Sequence, residues 1–120
     1  MSGATGKRID KARARLAHRR AELERLIAVG GPAQRPVELD QGRQGRLSRM
    51  DALRVQAMSM ETARRRTAGL GRIAAALARI EAGDYGACVS CGEEIAARRL
   101  EHDPATALCI DCARAGERAG

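Results

Sequence analysis

The chain has 120 residues, of which 44% are hydrophobic, but its only aromatic residue is Tyr85. Alanine, which buries little area, is its most frequent apolar residue, so the composition excludes a large globular core. The formal net charge of +7 indicates a polyanionic partner or an acidic protein surface and does not choose between them. No apolar run of 18 residues and no signal-peptide core is present, so we predict a soluble, cytoplasmic protein without membrane attachment.

A first helix is predicted from about Lys7 to Val29, in a stretch rich in Ala, Leu, Arg and Glu. Ile9, Leu16 and Leu23 are spaced by seven residues, which is typical of a coiled-coil seam. The Gly-Gly-Pro run at 30–32 predicts the end of this helix.

A loop at about 30–45 precedes a second predicted helix at about 46–82. Apolar residues recur on the second helix at spacings of three or four, in two groups. The groups are Leu47, Met50, Leu53, Ala57 and Met60, and then Leu70, Ile73, Leu77 and Ile80. Met50, Met58 and Met60 are interpreted as seam and gap-filling residues. Gly69 and Gly71 each cost about 1 kcal/mol of helix stability relative to alanine, so a bend of the helix is possible at this point.

Helices of this length need a partner for their apolar stripe. Periodicity does not decide whether that partner is the other helix or another copy of the chain. Because the intervening loop is long enough, we favour an antiparallel two-helix coiled-coil hairpin over residues 7–82 of a monomer, after a disordered N-terminus at 1–6. The rival is a self-associating coiled-coil scaffold.

The four cysteines of the chain form two C-x2-C pairs separated by seventeen residues. They are Cys88, Cys91, Cys109 and Cys112. Two such pairs supply the four thiolates of a tetrahedral zinc site, and four thiolates leave no open position for catalysis. Gly92 provides the backbone freedom that the turn after the first pair needs. We therefore predict one structural Zn²⁺ per chain, in a small zinc-finger knob at 83–120 with a short C-terminal helix. A redox dithiol or a catalytic metal is the alternative.

The finger carries a resemblance to a known family. The segment 83–95, GDYGACVSCGEEI, and the continuation RLEHDP at 99–104 through the second cysteine pair resemble the zinc finger of the DksA/TraR family of bacterial transcription regulators. The stretch 38–52 also looks like that of short family members. The resemblance implies the same all-α layout, a helical hairpin followed by the finger.

The resemblance also implies a function. Family members bind RNA polymerase rather than DNA, their coiled coil enters the secondary channel, and acidic tip residues approach the active centre and alter open-complex stability. Asp40 is the first candidate for such a tip residue, followed by Glu38 and Asp51. The best-known members carry D-x-x-D-x-A at the tip, whereas this chain, aligned on Asp40, has Val37 and Gly42 at the flanking places. Asp40 also suits the N-cap of the second helix.

Longer family members extend a basic C-terminal helix that helps to hold the alarmone ppGpp. This chain ends eight residues after Cys112, so a dependence on ppGpp is not carried over.

The sequence contains no set of residues typical of an enzyme active site, since there is no phosphate-binding loop and His18 and His102 are far apart in the sequence. We predict that the protein is not an enzyme. The rival function is a basic zinc-finger protein that binds nucleic acid directly. Direct DNA contact is disfavoured because stacking aromatics are absent and arginine and glutamate are interleaved along the helices. The arginine run at 64–66 is either a solvated helix face or a contact with the polymerase rim.

Overall fold

The computed structural model of the chain describes residues 6–30 and 46–119. Its helices are α1 (Gly6–Val29), α2 (Arg46–Ala82), α3 (Ala97–His102) and α4 (Ile110–Ala119). The predicted all-α fold is confirmed: a two-helix hairpin precedes a small four-cysteine finger. The predicted tip loop, with Glu38 and Asp40, lies outside the described residues. Within the described ranges, no helix is both long and apolar enough to cross a bilayer.

The helix ends follow the glycine signals of the sequence. Gly30 comes directly after α1 with φ of +59°, and its N–H donates to the carbonyls of Leu26 and Ile27. Gly83 follows α2 with φ of +80°, and its N–H donates to the Ile80 carbonyl at 3.1 Å. Both are the left-handed C-terminal caps for which glycine is favoured.

The chain divides into two compact units, one of Met1–Ala21 with Gly71–Gly120 and the other of Glu22–Leu70. In the first unit, α1, α2 and the finger share one core. Its buried side chains are Ala12, Leu16, Ile73, Ala76, Ile80, Tyr85, Cys88, Ile95, Leu100, Ala105 and Thr106. Leu16 is 1% exposed, in agreement with its predicted seam position. Arg13 of α1 lies 3.8 Å from Glu81 of α2, which sets the start of one helix beside the end of the other.

In the second unit, the last turns of α1 pack against α2. Leu23 is buried, and a Cβ built on Gly69 would lie 3.3 Å from its Cδ1 atom. Gly69 therefore allows the two backbones to approach closely. α2 runs as one helix through Gly69 and Gly71 from Arg46 to Ala82.

The prediction that the apolar residues in the first half of α2 form a buried seam is wrong. Met50, Leu53 and Met60 are 52%, 49% and 42% exposed, and Met58 is 65% exposed. The half-buried side of the helix in this unit instead carries mostly small or polar residues at spacings of three and four. They are Arg49, Ala52, Gln56, Ser59, Ala63, Arg66 and Leu70. An apolar spacing marks a helix face but does not require that face to meet the other helix, and small residues permit a closer approach.

Candidate metal centre

The first cysteine turn is closed by a short antiparallel backbone pairing. Ala87 and Glu94 form a β-bridge, and the Cys88 N–H donates to the Glu93 carbonyl at 2.8 Å. Gly92 has φ of +80°, as its predicted role requires, and its N–H donates to the Cys88 carbonyl at 2.9 Å. A side chain at this position would strain the turn.

The second cysteine pair is held by the beginning of α4. Cys109 directly precedes the helix, and Cys112 lies in its first turn. The Cys112 N–H points at the Cys109 Sγ atom at 3.5 Å. The Val89 N–H donates to the Ala107 carbonyl at 2.9 Å, which brings the loop before the second pair against the first cysteine turn.

The four cysteine sulfurs converge, with all Sγ atoms within 4.8 Å of one another. The Sγ atoms of Cys91 and Cys109 are 3.8 Å apart. Four thiolates at the usual zinc–sulfur distance of about 2.3 Å, arranged as a tetrahedron, lie about 3.8 Å from one another. Cys88 is buried, Cys91 is exposed, and the other two are intermediate. His102 is exposed and lies outside this cluster.

The electrostatics of the cluster also fit a bound dication. The backbone N–H groups of Cys109 and Cys91 lower the pKa of the Cys88 thiol to about 6. Hydrogen bonds with the sulfurs of Cys109, Cys91 and Cys88 raise the pKa of the Cys112 thiol to about 12. One thiolate therefore forms readily while another thiol retains its proton, because four negative sulfurs cannot lie this close without a cation between them. The donor set fits Zn²⁺, and four thiolates close its coordination, so the zinc is structural.

Arginines position the loop that carries the second cysteine pair. Arg79 of α2 reaches the carbonyls of Ala105 and Thr106 at 3.5 and 3.4 Å. Arg99 of α3 donates through Nε to the Leu108 carbonyl at 2.8 Å. Arg99 belongs to the family-like motif of the sequence, but this contact was not predicted for it, and no role was predicted for Arg79. The available signal was an arginine two residues after Leu77, on a helix that leads directly into the finger.

Tyr85 joins the end of the hairpin to the same loop. Its side chain is 3% exposed, and its hydroxyl donates to the Pro104 carbonyl at 2.8 Å. Burial raises the pKa of this phenol above its ordinary value, so the hydroxyl keeps the proton that it donates.

The third tip candidate, Asp51, lies on an exposed face of α2. Its carboxylate is 3.9 Å from the guanidinium of Arg54 one turn away. This is a solvent-exposed ion pair of the kind that contributes little to stability.

A helical hairpin that leads into a closed four-cysteine site defines the class of this protein, a small zinc-finger protein of the hairpin type. Residues 83–118 match the prokaryotic dksA/traR C4-type zinc finger. This match shows that the finger of the chain is of the DksA/TraR type.

Two relatives match a stretch of 41 residues, and one solved structure matches nearly the whole chain. Over 41 residues the chain is 51% identical to the RNA polymerase-binding transcription factor DksA of Haemophilus influenzae and to that of Escherichia coli K12. The matched stretch is 34% of this chain but only 28% and 27% of those two relatives. The structure of transcription factor DksA2 from Pseudomonas aeruginosa matches with a TM-score of 0.74 and 26% identity, covering 95% of this chain and 86% of that one.

Proposed function

We propose that this protein is a transcription regulator that binds bacterial RNA polymerase through the secondary channel. The hairpin tip approaches the active centre and alters the stability of the open complex. The structural likeness to a transcription factor over 95% of the chain carries the proposal. A stretch of 41 residues supports it through its 51% identity to a factor named for RNA polymerase binding. A regulator of this kind acts in the cytoplasm, where its target lies.

In this proposal zinc is held by the four clustered cysteines, Cys88, Cys91, Cys109 and Cys112. The metal fixes two turns that have little apolar core of their own. Arg79 and Arg99 then hold the loop between these turns through its carbonyls. The finger thereby supplies a rigid end to the hairpin and takes no part in a reaction.

The acidic residues proposed to act at the tip are Asp40, with Glu38 and Asp51 in support. A carboxylate in this place can pair with basic groups or act near a catalytic metal ion. Asp51 is exposed, which leaves its carboxylate accessible to a partner, although it lies within reach of Arg54. We further propose that the protein acts as a monomer.

Direct binding to nucleic acid is the second candidate, and the net charge of +7 is the observation in its favour. Several arginines, however, are paired with carboxylates. Glu61 lies 2.6 Å from Arg64 and 3.5 Å from Arg65, which neutralises part of the 64–66 run. Such mixed charge suits a protein surface better than a phosphate backbone, which rewards uniform positive charge.

The two candidates are separated by a competition measurement. Fluorescently labelled, zinc-loaded protein is titrated with RNA polymerase core at physiological salt, with and without excess duplex DNA. Saturable binding that DNA does not displace is the expected result. Absence of binding to the polymerase, together with salt-sensitive binding to DNA, would replace the proposal with the second candidate.

The tip assignment is tested separately with Asp40→Asn. We expect nearly unchanged affinity for the polymerase but a weaker effect on transcription from an open-complex-sensitive promoter in vitro. Asp84→Asn is the matched control, since it makes the same chemical change at an exposed residue at the start of the finger. Full transcriptional activity of the Asp40 variant would show that another residue acts at the tip.

A further inference from the structure

A concave site of about 410 Å³ lies in the first unit, between the beginning of α1 and α3. We call it the α1–α3 cleft and define it by Arg8, Lys11 and Arg15 on one wall and Leu100 and Glu101 on the other. Its volume lies in the range of sites that accept a small ligand or a few side chains of a partner. None of these residues takes part in the metal centre.

The α1 wall of the cleft is cationic. Arg8, Lys11 and Arg15 are spaced by three and four residues, so they share one helix face. All three are exposed. Arg15 donates to the backbone carbonyl of Glu101, which holds its guanidinium across the cleft. Lys11 makes no hydrogen bond or ion pair with any residue of the described ranges, so its ammonium is available to a partner.

The opposite wall and the floor limit what can bind. Ala12 and Leu100 are buried and give the cleft an apolar floor, while Glu101 places one exposed carboxylate opposite the cations. A nucleic-acid backbone is uniformly anionic and would be repelled by that carboxylate. The ring of Tyr85 also lines the cleft but is only 3% exposed, so it offers no stacking surface for a base.

We propose that the α1–α3 cleft docks an acidic peptide segment of RNA polymerase. This inference rests on the proposed function and deepens it by naming a contact far from the tip residues in sequence. One carboxylate of the segment pairs with Lys11 and Arg8. Its aliphatic side chains cover Ala12 and Leu100, and a hydrogen-bond donor or cation of the same segment meets Glu101. Charge complementarity between three cations and an acidic segment sets the specificity.

The chain offers an unusually direct test, because Lys7 and Lys11 are its only lysines. The zinc-loaded full-length protein is mixed with polymerase core and treated with a water-soluble carbodiimide, which joins an amine to a carboxylate that it contacts. Mass spectrometry then locates the joined residues. We expect a cross-link from Lys11 to an aspartate or glutamate of a polymerase subunit. Lys11→Arg should abolish this cross-link and keep the affinity, because it retains the charge without the amine.

A pair of charge-reversal variants tests how much Lys11 contributes to the affinity for the polymerase. Lys11→Glu should lower the affinity for polymerase core about tenfold at low salt, and less at high salt. Arg20→Glu is the matched control, since Arg20 is exposed on the same helix and lies nine residues on, about 180° around it. It should change the affinity less than about twofold.

The outcomes separate this inference from the proposed function. Polymerase binding by the wild type with cross-links from Lys7 alone, or with equal losses in the two reversal variants, would overturn the cleft assignment and keep the function. Protection of Lys11 by duplex DNA would identify nucleic acid as the occupant and overturn the inference. No binding of the wild type to the polymerase would overturn both.

Discussion

Arg72 of α2 and Asp103 at the end of α3 form an ion pair, with Nη2 of the arginine 2.7 Å from Oδ2 of the aspartate. The other carboxylate oxygen, Oδ1, accepts the Ala105 N–H at 3.1 Å. One side chain therefore joins the hairpin and also caps the loop that leads to the second cysteine pair. The two contacts can be removed one at a time.

Substitution of Asp103 should separate these contacts. Asp103→Asn keeps an acceptor for Ala105 but removes the charge, and should cost about 0.2–1 kcal/mol of unfolding free energy, since both partners are partly exposed. Asp103→Ala removes both contacts and should cost about 1–2 kcal/mol. Urea unfolding at pH 7 measures both variants. Equal losses would show that the ion pair, rather than the cap, carries the whole effect.

The same ion pair should make stability depend on pH. Burial raises the pKa of Asp103, but the hydrogen bonds from Arg72 and the Ala105 N–H and the charges of Arg72 and His102 together lower it by more, so the pKa is below its ordinary value. The contribution is therefore present above the aspartate pKa of the unfolded chain, about 3.9, and is lost as pH falls through the lower folded value. The difference in unfolding free energy between wild type and Asp103→Asn, followed from pH 7 to pH 3, should shrink below about pH 4. The four cysteines are common to both proteins, so acid release of zinc affects both. A difference that stays constant to pH 3 would contradict this account.

Replacement by alanine should change the stability of the protein differently at two glycines of α2. Gly71 has no atom within 4 Å of a built Cβ, so Gly71→Ala should stabilise the protein by about 0.5–1 kcal/mol through helix propensity. Gly69→Ala gains the same propensity, but its Cβ would lie 3.3 Å from Leu23, so we expect little or no net gain. Thermal unfolding of the two variants side by side measures the difference. A larger gain at Gly69 would show that the helices can move apart without cost.

Substitution of a core residue should cost much more unfolding free energy than substitution of an exposed apolar residue. Leu16→Ala should cost about 2–5 kcal/mol because the side chain is 1% exposed. Met58→Gln should change the unfolding free energy by no more than about 0.5 kcal/mol, because Met58 is 65% exposed. Chemical denaturation of both variants provides the comparison. A loss at Met58 as large as that at Leu16 would restore its interpretation as a seam residue.

Removal of a zinc ligand should unfold the finger. Cys109→Ser is expected to release the metal and to lower helicity, because α4 begins directly after this residue. Ser90→Ala, within the first cysteine turn, is the control and should retain the metal. Metal analysis and circular dichroism give the two readouts. One zinc per chain with an unchanged spectrum in the Cys109 variant would contradict a structural role.

The sequence predicted some parts of this fold well, for reasons that particular residues show. Leu16 and Leu23 repeat at seven and are buried, and Gly30 and Gly83 mark helix ends through conformations that other residues adopt at a cost. The four cysteines were recognisable because zinc geometry fixes their spacing. Periodicity failed at Met50 because several faces of α2 carry a three–four spacing, and only tertiary packing selects among them. A local sequence pattern could not predict the contacts of Arg79 either, because the carbonyls that accept its hydrogen bonds are 26 and 27 residues away.

The small and polar residues on the half-buried side of α2 in the second unit should affect how fast this part of the helix opens. Ile73 and Ile80 are buried aliphatic residues, whereas Ala52 and Ser59, on the half-buried side of the first half of α2, are small residues that bury little apolar area. Local opening is easiest where few apolar contacts must be broken. Deuterium uptake along this single helix should therefore be graded, fast in its first half and slow in its last three turns. A helix that is continuous in geometry would then exchange as two segments.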